Sequence, residues 1–307
     1  MRLCVVALNP AIDAEWRVDD LLWEEKNVVH TSRRWAGGKG INVARWLQML
    51  GAEVELLIPL GGETGREMEA QLRAWKIPTR PIPLREASRV NVVVTTKAGR
   101  QMRLNQPGPQ LHAREWAEVF RQAEQALEAG AALVLSGSLP RRAPVNVYAR
   151  LIRLARRFGA KVFLDCDGPA LNAAARTQPF LVKPNVHELS LWAGKSLRSE
   201  NSIITAASAL SNQTEGWVLV SRGAAGALLL NVREQFLAGT RARAGRVRNT
   251  VGAGDALLAA AVHQAARGAE PLAWLQSGVL VGTAATAQVA GELPTRRVLR
   301  RLTVNSI

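Results

Sequence analysis

The chain is poor in cysteine. Cys4 and Cys166 are the only two in 307 residues, they lie far apart, and neither belongs to a C-x-x-C pair. That excludes a disulfide framework and a thiolate zinc site, and it fits a reducing cytosol. Long apolar runs are also missing. The first, Leu3 to Leu8, stops at Asn9-Pro10 and is too short for a signal peptide. No later run approaches the ~18 residues of a membrane span. Internal repeats and low-complexity linkers are absent. Acidic residues are scarce relative to basic ones: 25 Asp and Glu stand against 40 Lys and Arg, for a formal net charge of +15. Only 7 of the 40 are lysine, leaving 33 arginines. Such a balance raises an anionic partner, nucleic acid included. The arginines come as scattered pairs (Arg33-Arg34, Arg141-Arg142, Arg156-Arg157, Arg296-Arg297, Arg300-Arg301), without a basic run or aromatic-interleaved module. That scatter argues against nucleic acid, which stays only as a rival from another class; no nucleic-acid and no membrane partner is expected.

Hydrophobic residues make up 48% of the chain, enough for a large core. Nearly continuous apolar runs at Leu3–Leu8, Val54–Leu60, Leu133–Leu135, Val162–Leu164, Leu181–Val182 and Val218–Val220 suit strands buried on both faces. Between them, Ile41–Leu50 and Glu115–Ala129 carry apolar residues at helical spacing. This alternation predicts an α/β fold with a doubly wound, mostly parallel sheet flanked by helices. Two segments, approximately 12–32 and 88–106, break it. The second reads as a hairpin, Val90–Thr95 and Gln101–Leu104 around Lys97-Ala98-Gly99-Arg100. Together they predict a small β-sheet lid inserted into a single domain spanning 1–307.

Two glycine loops carry the chemistry. Asn249-Thr250-Val251-Gly252-Ala253-Gly254-Asp255 opens an apolar helix whose first amides lack internal partners and face a ligand as an anion site. A carboxylate at Asp255 is placed to take a proton from a hydroxyl, with the adjacent amides beside a phosphoryl group. Read alone, the loop is more simply a turn with a dipole-balancing acid. Gly37-Gly38-Lys39-Gly40-Ile41-Asn42-Val43-Ala44 precedes a second helix, where Asn42 is placed to bond sugar hydroxyls; alone it reads as a turn and a capped helix. Gly194-Lys195-Ser196 fails as a P-loop because Leu189 replaces its first glycine.

The two loops together, some two hundred residues apart, resemble the paired signatures of the ribokinase-like (PfkB) sugar kinases. The likeness runs through nearly the whole chain. Asn9-Pro10-Ala11-Ile12-Asp13 is similar to the start of the phosphosugar branch, and Ser88-Arg89-Val90-Asn91-Val92 to its lid strand. Ser136-Gly137-Ser138-Leu139-Pro140, Lys183-Pro184-Asn185-Val186-His187-Glu188 and Ser221-Arg222-Gly223-Ala224-Ala225-Gly226 follow in order. The resemblance implies an ATP- and Mg2+-dependent phosphohexose kinase. Asp255 would be the base, and Gly252, Ala253 and Gly254 the anion hole. Asp13, Gly37, Gly38 and Asn42 would hold the sugar, and Arg89, Lys26 and Ser138 its phosphate. Lys183, Asn185, Ser221, Gly223, Gly226 and Thr250 would lie on the nucleotide side, with Asn185 and Glu188 toward magnesium. Read by themselves, Arg89 is a solvated strand residue and Lys26 a surface ion pair. Departures stand at Arg222, where the family has Leu, at Ala256, where Ser is common, and at Asp165-Cys166-Asp167-Gly168. A homodimer through the lid, carrying Trp16, Val92 and Val94, is a further expectation, as is a cytoplasmic setting; the lid residues would equally face the chain's own cleft.

Overall fold

The structure is a computed structural model, and it describes residues 1–242, 245 and 247–295. The strands are β1 (Leu3–Val6), β2 (Ala11–Val18), β3 (Thr31–Gly37), β4 (Val54–Gly61), β5 (Thr79–Leu84), β6 (Arg89–Thr96), β7 (Gln101–Asn105), β8 (Ala132–Ser136), β9 (Val162–Asp165), β10 (Leu181–Val182), β11 (Trp217–Ser221), β12 (Ala227–Asn231) and β13 (Phe236–Thr240). The helices are α1 (Lys39–Leu50), α2 (Gly62–Ala74), α3 (Ala113–Glu128), α4 (Val147–Arg157), α5 (Gly168–Ala175), α6 (Val186–Ala193), α7 (Glu200–Thr214), α8 (Ala253–Ala266) and α9 (Pro271–Thr286).

Nine strands form one sheet in the order β13-β12-β11-β10-β9-β8-β1-β4-β5. Its pairs are parallel except β11 with β12 and β12 with β13. The central strands are buried along their whole length because helices cover both faces, as their unbroken apolar runs require. Side chains alternate between two cores. Leu3 and Val5 join residues of α1, α2, α8 and α9, whereas Cys4 and Val6 join those of α3, α4 and α5. A third cluster under α6 and α7 completes the second face. α8 buries eight apolar residues besides Asp255, because it lies between α1 and α9.

Four further strands form the small sheet, β3-β2-β6-β7. The hairpin expected at 88–106 is β6 and β7, with Val93 opposite Arg103. The segment expected to be extended over 12–32 is extended only in part: β2 ends at Val18, β3 begins at Thr31, and an irregular, largely exposed stretch joins them. Among the described residues, no helix is long and apolar enough to cross a membrane.

Candidate active site

In an open α/β sheet the carboxyl ends of the parallel strands are where a ligand fits. Here the ends of β1, β8, β9, β10 and β11 deliver Asn9, Ser136 to Ser138, Asp165, Lys183 and Ser221 to one side of the large sheet. The small sheet stands opposite. The cleft between them has a volume of about 1440 Å³, is open to solvent on one side and is also lined by both glycine loops.

Asp255 lies in the first turn of α8 and is 6% exposed. The N-cap is Gly252, whose φ of +82° places it in the left-handed region that favours glycine. Ala253 N donates to Thr250 O at 3.4 Å, a long bond, and Ala256 N to Gly252 O at 2.9 Å. The amides of Gly254 and Asp255 between them have no backbone acceptor and form the open end of a helix dipole. Asn42 Nδ2 donates to Asp255 Oδ2 at 2.8 Å, which fixes the carboxylate from α1. Burial and the nearby Asp165 carboxylate push Asp255 up to about 6, with Asn42, Lys39 and Lys183 acting against them. It is ionised at neutral pH yet close to its titration point, the condition a general base needs.

A line of charge runs behind the glycine loop. Lys39 Nζ donates to Asp165 Oδ1 at 3.1 Å and to Glu188 Oε1 at 3.3 Å. Lys183 Nζ lies 3.2 Å from Asp165 Oδ2, and a Cβ at Gly254 would stand 3.7 Å from it. Burial disfavours ionised Asp165, but Lys183 and Lys39 outweigh it and hold the carboxyl below its ordinary value. Burial likewise opposes charge on Lys39, and Asp165, Glu188 and Asp255 together hold its ammonium above the usual lysine value. Asp165 is shared by both lysines and Glu188 pairs with Lys39 alone, so two carboxylates balance two ammonium groups at the edge of the cleft.

On the small sheet, Asn91 Nδ2 donates to Asp13 Oδ1 at 3.0 Å. Burial pushes Asp13 up, against that bond, a Gly38 amide and Arg89. Gly37 does not line the cleft; it backs Asp13, since a Cβ there would stand 2.0 Å from Asp13 Oδ2. Arg89 reaches the cleft with its guanidinium held by backbone carbonyls, Nη1 on Gln106 O at 2.8 Å and Nη2 on Asn9 O at 2.9 Å. Ser138 also lines the cleft and its Oγ accepts from Asn9 Nδ2 at 3.1 Å.

The structure brings together in the cleft Asp13, Gly38, Asn42, Arg89, Ser138, Lys183, Asn185, Glu188, Ser221, Gly223, Gly226, Thr250, Gly252, Ala253, Gly254 and Asp255. It does not bring Lys26, the expected phosphate contact, which is exposed on the stretch between β2 and β3 and lies outside the cleft lining. Its flanking chain is irregular and stands off the fold, leaving even Leu22, Trp23, Val28 and Val29 exposed. Arg222 turns away from the nucleotide side, pairing with Glu200 at 3.0 Å and donating to Ala225 O at 3.1 Å. Val93, not Val92 or Val94, faces the cleft, because alternate residues of β6 point to opposite sides. Lys39 and Asp165 also line the cleft, and the sequence alone did not assign them to it. Lys39 stood inside the quoted glycine loop, but its partners lie 126 and 149 residues away.

Asn185 and Glu188 sit at the start of α6 as a reciprocal cap, each backbone amide donating to the other's side chain at 2.8 Å. The other Glu188 oxygen meets Lys39. Among the described residues no three His, Cys, Asp or Glu side chains converge as a metal cage. The donor set fits a hydrated magnesium carried on phosphate oxygens, not an ion enclosed by protein.

The model of the pfkB family carbohydrate kinases matches residues 2–296. The 1-phosphofructokinase of Rhodobacter capsulatus is 34% identical over 96% of this chain and 93% of its own. The D-tagatose-1-phosphate kinase of Bacillus licheniformis is also 34% identical, over 82% of both. Among solved structures, phosphofructokinase-2 of Escherichia coli in complex with substrates and products superposes with a TM-score of 0.91 at 29% identity, covering 100% of this chain and 99% of that one. The chain belongs to the pfkB family of carbohydrate kinases, with the ribokinase-like fold. It is a sugar phosphotransferase, and kinases of this family use ATP as phosphoryl donor.

Proposed function

We propose that this kinase transfers the γ-phosphoryl group of ATP to fructose 1-phosphate, giving fructose 1,6-bisphosphate and ADP. The reading is carried by the placement of Asp255: a buried carboxylate near its titration point, held by Asn42 beside the open amides of α8. The 1-phosphofructokinase name of a relative aligned over nearly the whole chain supports the acceptor. The Asp255 carboxylate takes the proton of the attacking C6 hydroxyl as its oxygen bonds to the γ-phosphorus. The bond to the ADP oxygen breaks, and the amides of Gly252, Ala253 and Gly254 meet the charge on the transferring group. Asp13, Gly38 and Asn42 hold the sugar hydroxyls, with Gly37 as backing for Asp13. Arg89 and Ser138 face the phosphate already present on the acceptor; arginine suits that contact because its planar fork matches phosphate oxygens. Lys183 and Lys39 neutralise the nucleotide phosphates across the shared Asp165. Ser221, Gly223, Gly226 and Thr250 shape the nucleotide side. Glu188 and Asn185 are the residues that would hold magnesium, which would offset charge on the donor phosphates.

The small sheet acts as the lid of this cleft within one domain, and its strands pair two copies of the chain; light scattering showing a monomer alone would exclude that pairing. The test of the acceptor is side-by-side assay of fructose 1-phosphate, fructose 6-phosphate, tagatose 1-phosphate and tagatose 6-phosphate with MgATP. Fructose 1-phosphate is expected to have the highest kcat/KM. Tagatose 1-phosphate leading would favour the activity named for the Bacillus licheniformis relative. Turnover of an unphosphorylated sugar with none of the four would overturn the phosphosugar reading.

A further inference from the structure

α3 and α4 cover the face of the large sheet opposite α1 and α8, and a groove of about 480 Å³ runs between them. It is lined by Ala117, Phe120, Arg121, Glu124 and Leu154 with Arg150, Arg153 and Arg157, so that four guanidinium groups face one carboxylate. Positions 150, 153 and 157 fall on one side of α4 and span about 10 Å along its axis. Arg121 is matched by Glu118, with Nε to Oε2 at 2.7 Å. Among the described residues, Arg150, Arg153 and Arg157 make no ion pair. Arg150 lies over the Phe120 ring at 4.2 Å from its centroid, which orders its guanidinium before any ligand arrives.

Three uncompensated guanidiniums repel one another and lower the free energy of any multivalent anion that bridges them. Their planar forks match phosphate oxygens. The depression is shallow and open to solvent, so a ligand there would be held by charge and not by enclosure. α4 is also tied to the catalytic cleft. The fully buried Tyr148, two residues before Arg150, donates its hydroxyl to Gly137 O at 2.9 Å. Gly137 lines the cleft between Ser136 and Ser138.

We propose that the α3–α4 groove is a second, non-catalytic site for a small organic or inorganic polyphosphate, and that its occupancy is transmitted through the Tyr148–Gly137 hydrogen bond to the sugar-phosphate side of the cleft. The binding half is independent of which sugar is the acceptor; the transmission half rests on the kinase reading above. A ligand that alters acceptor affinity through this path must itself bind more or less tightly when the acceptor is present, by the same factor.

The experiment is titration calorimetry of the full chain with inorganic tripolyphosphate while a non-hydrolysable ATP analogue fills the catalytic cleft. The wild type is compared with Arg150→Glu/Arg153→Glu and with Tyr148→Phe. One binding event is expected in the wild type, weakened about tenfold or more in the double variant and retained in Tyr148→Phe. The double variant should keep basal kcat, because neither arginine lines the cleft, and lose only the small stabilisation of the Arg150–Phe120 contact from its folding free energy. Tripolyphosphate should shift the acceptor KM of the wild type and not that of Tyr148→Phe. Equal binding by wild type and double variant would overturn the site. A shift in KM that survives in Tyr148→Phe would overturn the transmission path. Retardation of a short RNA by wild type but not by the double variant, with no tripolyphosphate binding, would assign the groove to nucleic acid and contradict the proposal.

Discussion

Asp255 is a carboxylate that folding places where it is costly to ionise. Its value is about 6 in the folded chain and near 3.8 unexposed to these neighbours. A carboxyl whose folded value is raised favours the folded state when protonated. That stabilisation is complete below about pH 4 and is lost as pH rises through 6. At pH 7, therefore, Asp255→Asn is expected to be more stable than wild type, on the order of 1–3 kcal/mol, as read by urea denaturation. The same titration should appear as an acidic limb near pH 6 in kcat/KM; a flat profile from pH 5 to 8 would count against Asp255 as base. Lys39 is the opposite case. Its removal leaves Asp165 buried with Lys183 alone, so Lys39→Met is expected to cost roughly 3–5 kcal/mol at neutral pH and to raise the KM for ATP. Such a position is hard to read in a sequence, because a lysine in a glycine loop acquires meaning only from acids more than a hundred residues away. Asp255 and Asn42 were legible because each sits within a local loop-to-helix pattern.

At the scale of elements, the strands that cross the centre of the large sheet were readable as apolar runs, and α1 and α3 as amphipathic stripes. The edges were not. β5 contains Pro81 and Pro83, which remove ladder donors and disguise it as a loop; it is tolerated because it pairs on one side only. β12 and β13 turn antiparallel at the other edge, outside the alternating pattern. α9 lacks a polar face, so its periodicity is weak. The junction of the small sheet with the cleft rests on Gly37, whose missing Cβ makes room for the Asp13 carboxylate. Gly37→Ala should displace Asp13 and lower kcat/KM for the sugar phosphate by about tenfold to a hundredfold. The KM for ATP is expected to stay near its wild-type value, because Gly37 faces the sugar side. Equal losses for both substrates in steady-state kinetics would mean that Asp13 does not hold the acceptor.

Over the whole molecule, the excess of positive charge was visible from composition, but its distribution was not. Few of the basic groups reach the cleft, while the arginines of α4 gather on one outer face. A positive field draws ATP and a sugar phosphate toward the site, so kcat/KM is expected to fall as salt rises from about 0.05 to 0.5 M, with kcat little changed. A salt-independent kcat/KM would confine the charge to solubility. The central claim is that one buried aspartate at the head of α8 drives phosphoryl transfer to a phosphorylated sugar. The most direct measurement is the kcat of Asp255→Asn with fructose 1-phosphate and MgATP, alongside ATP affinity. A loss of about 10²–10⁴-fold in kcat with ATP binding retained is expected; turnover within about tenfold of wild type would contradict the claim.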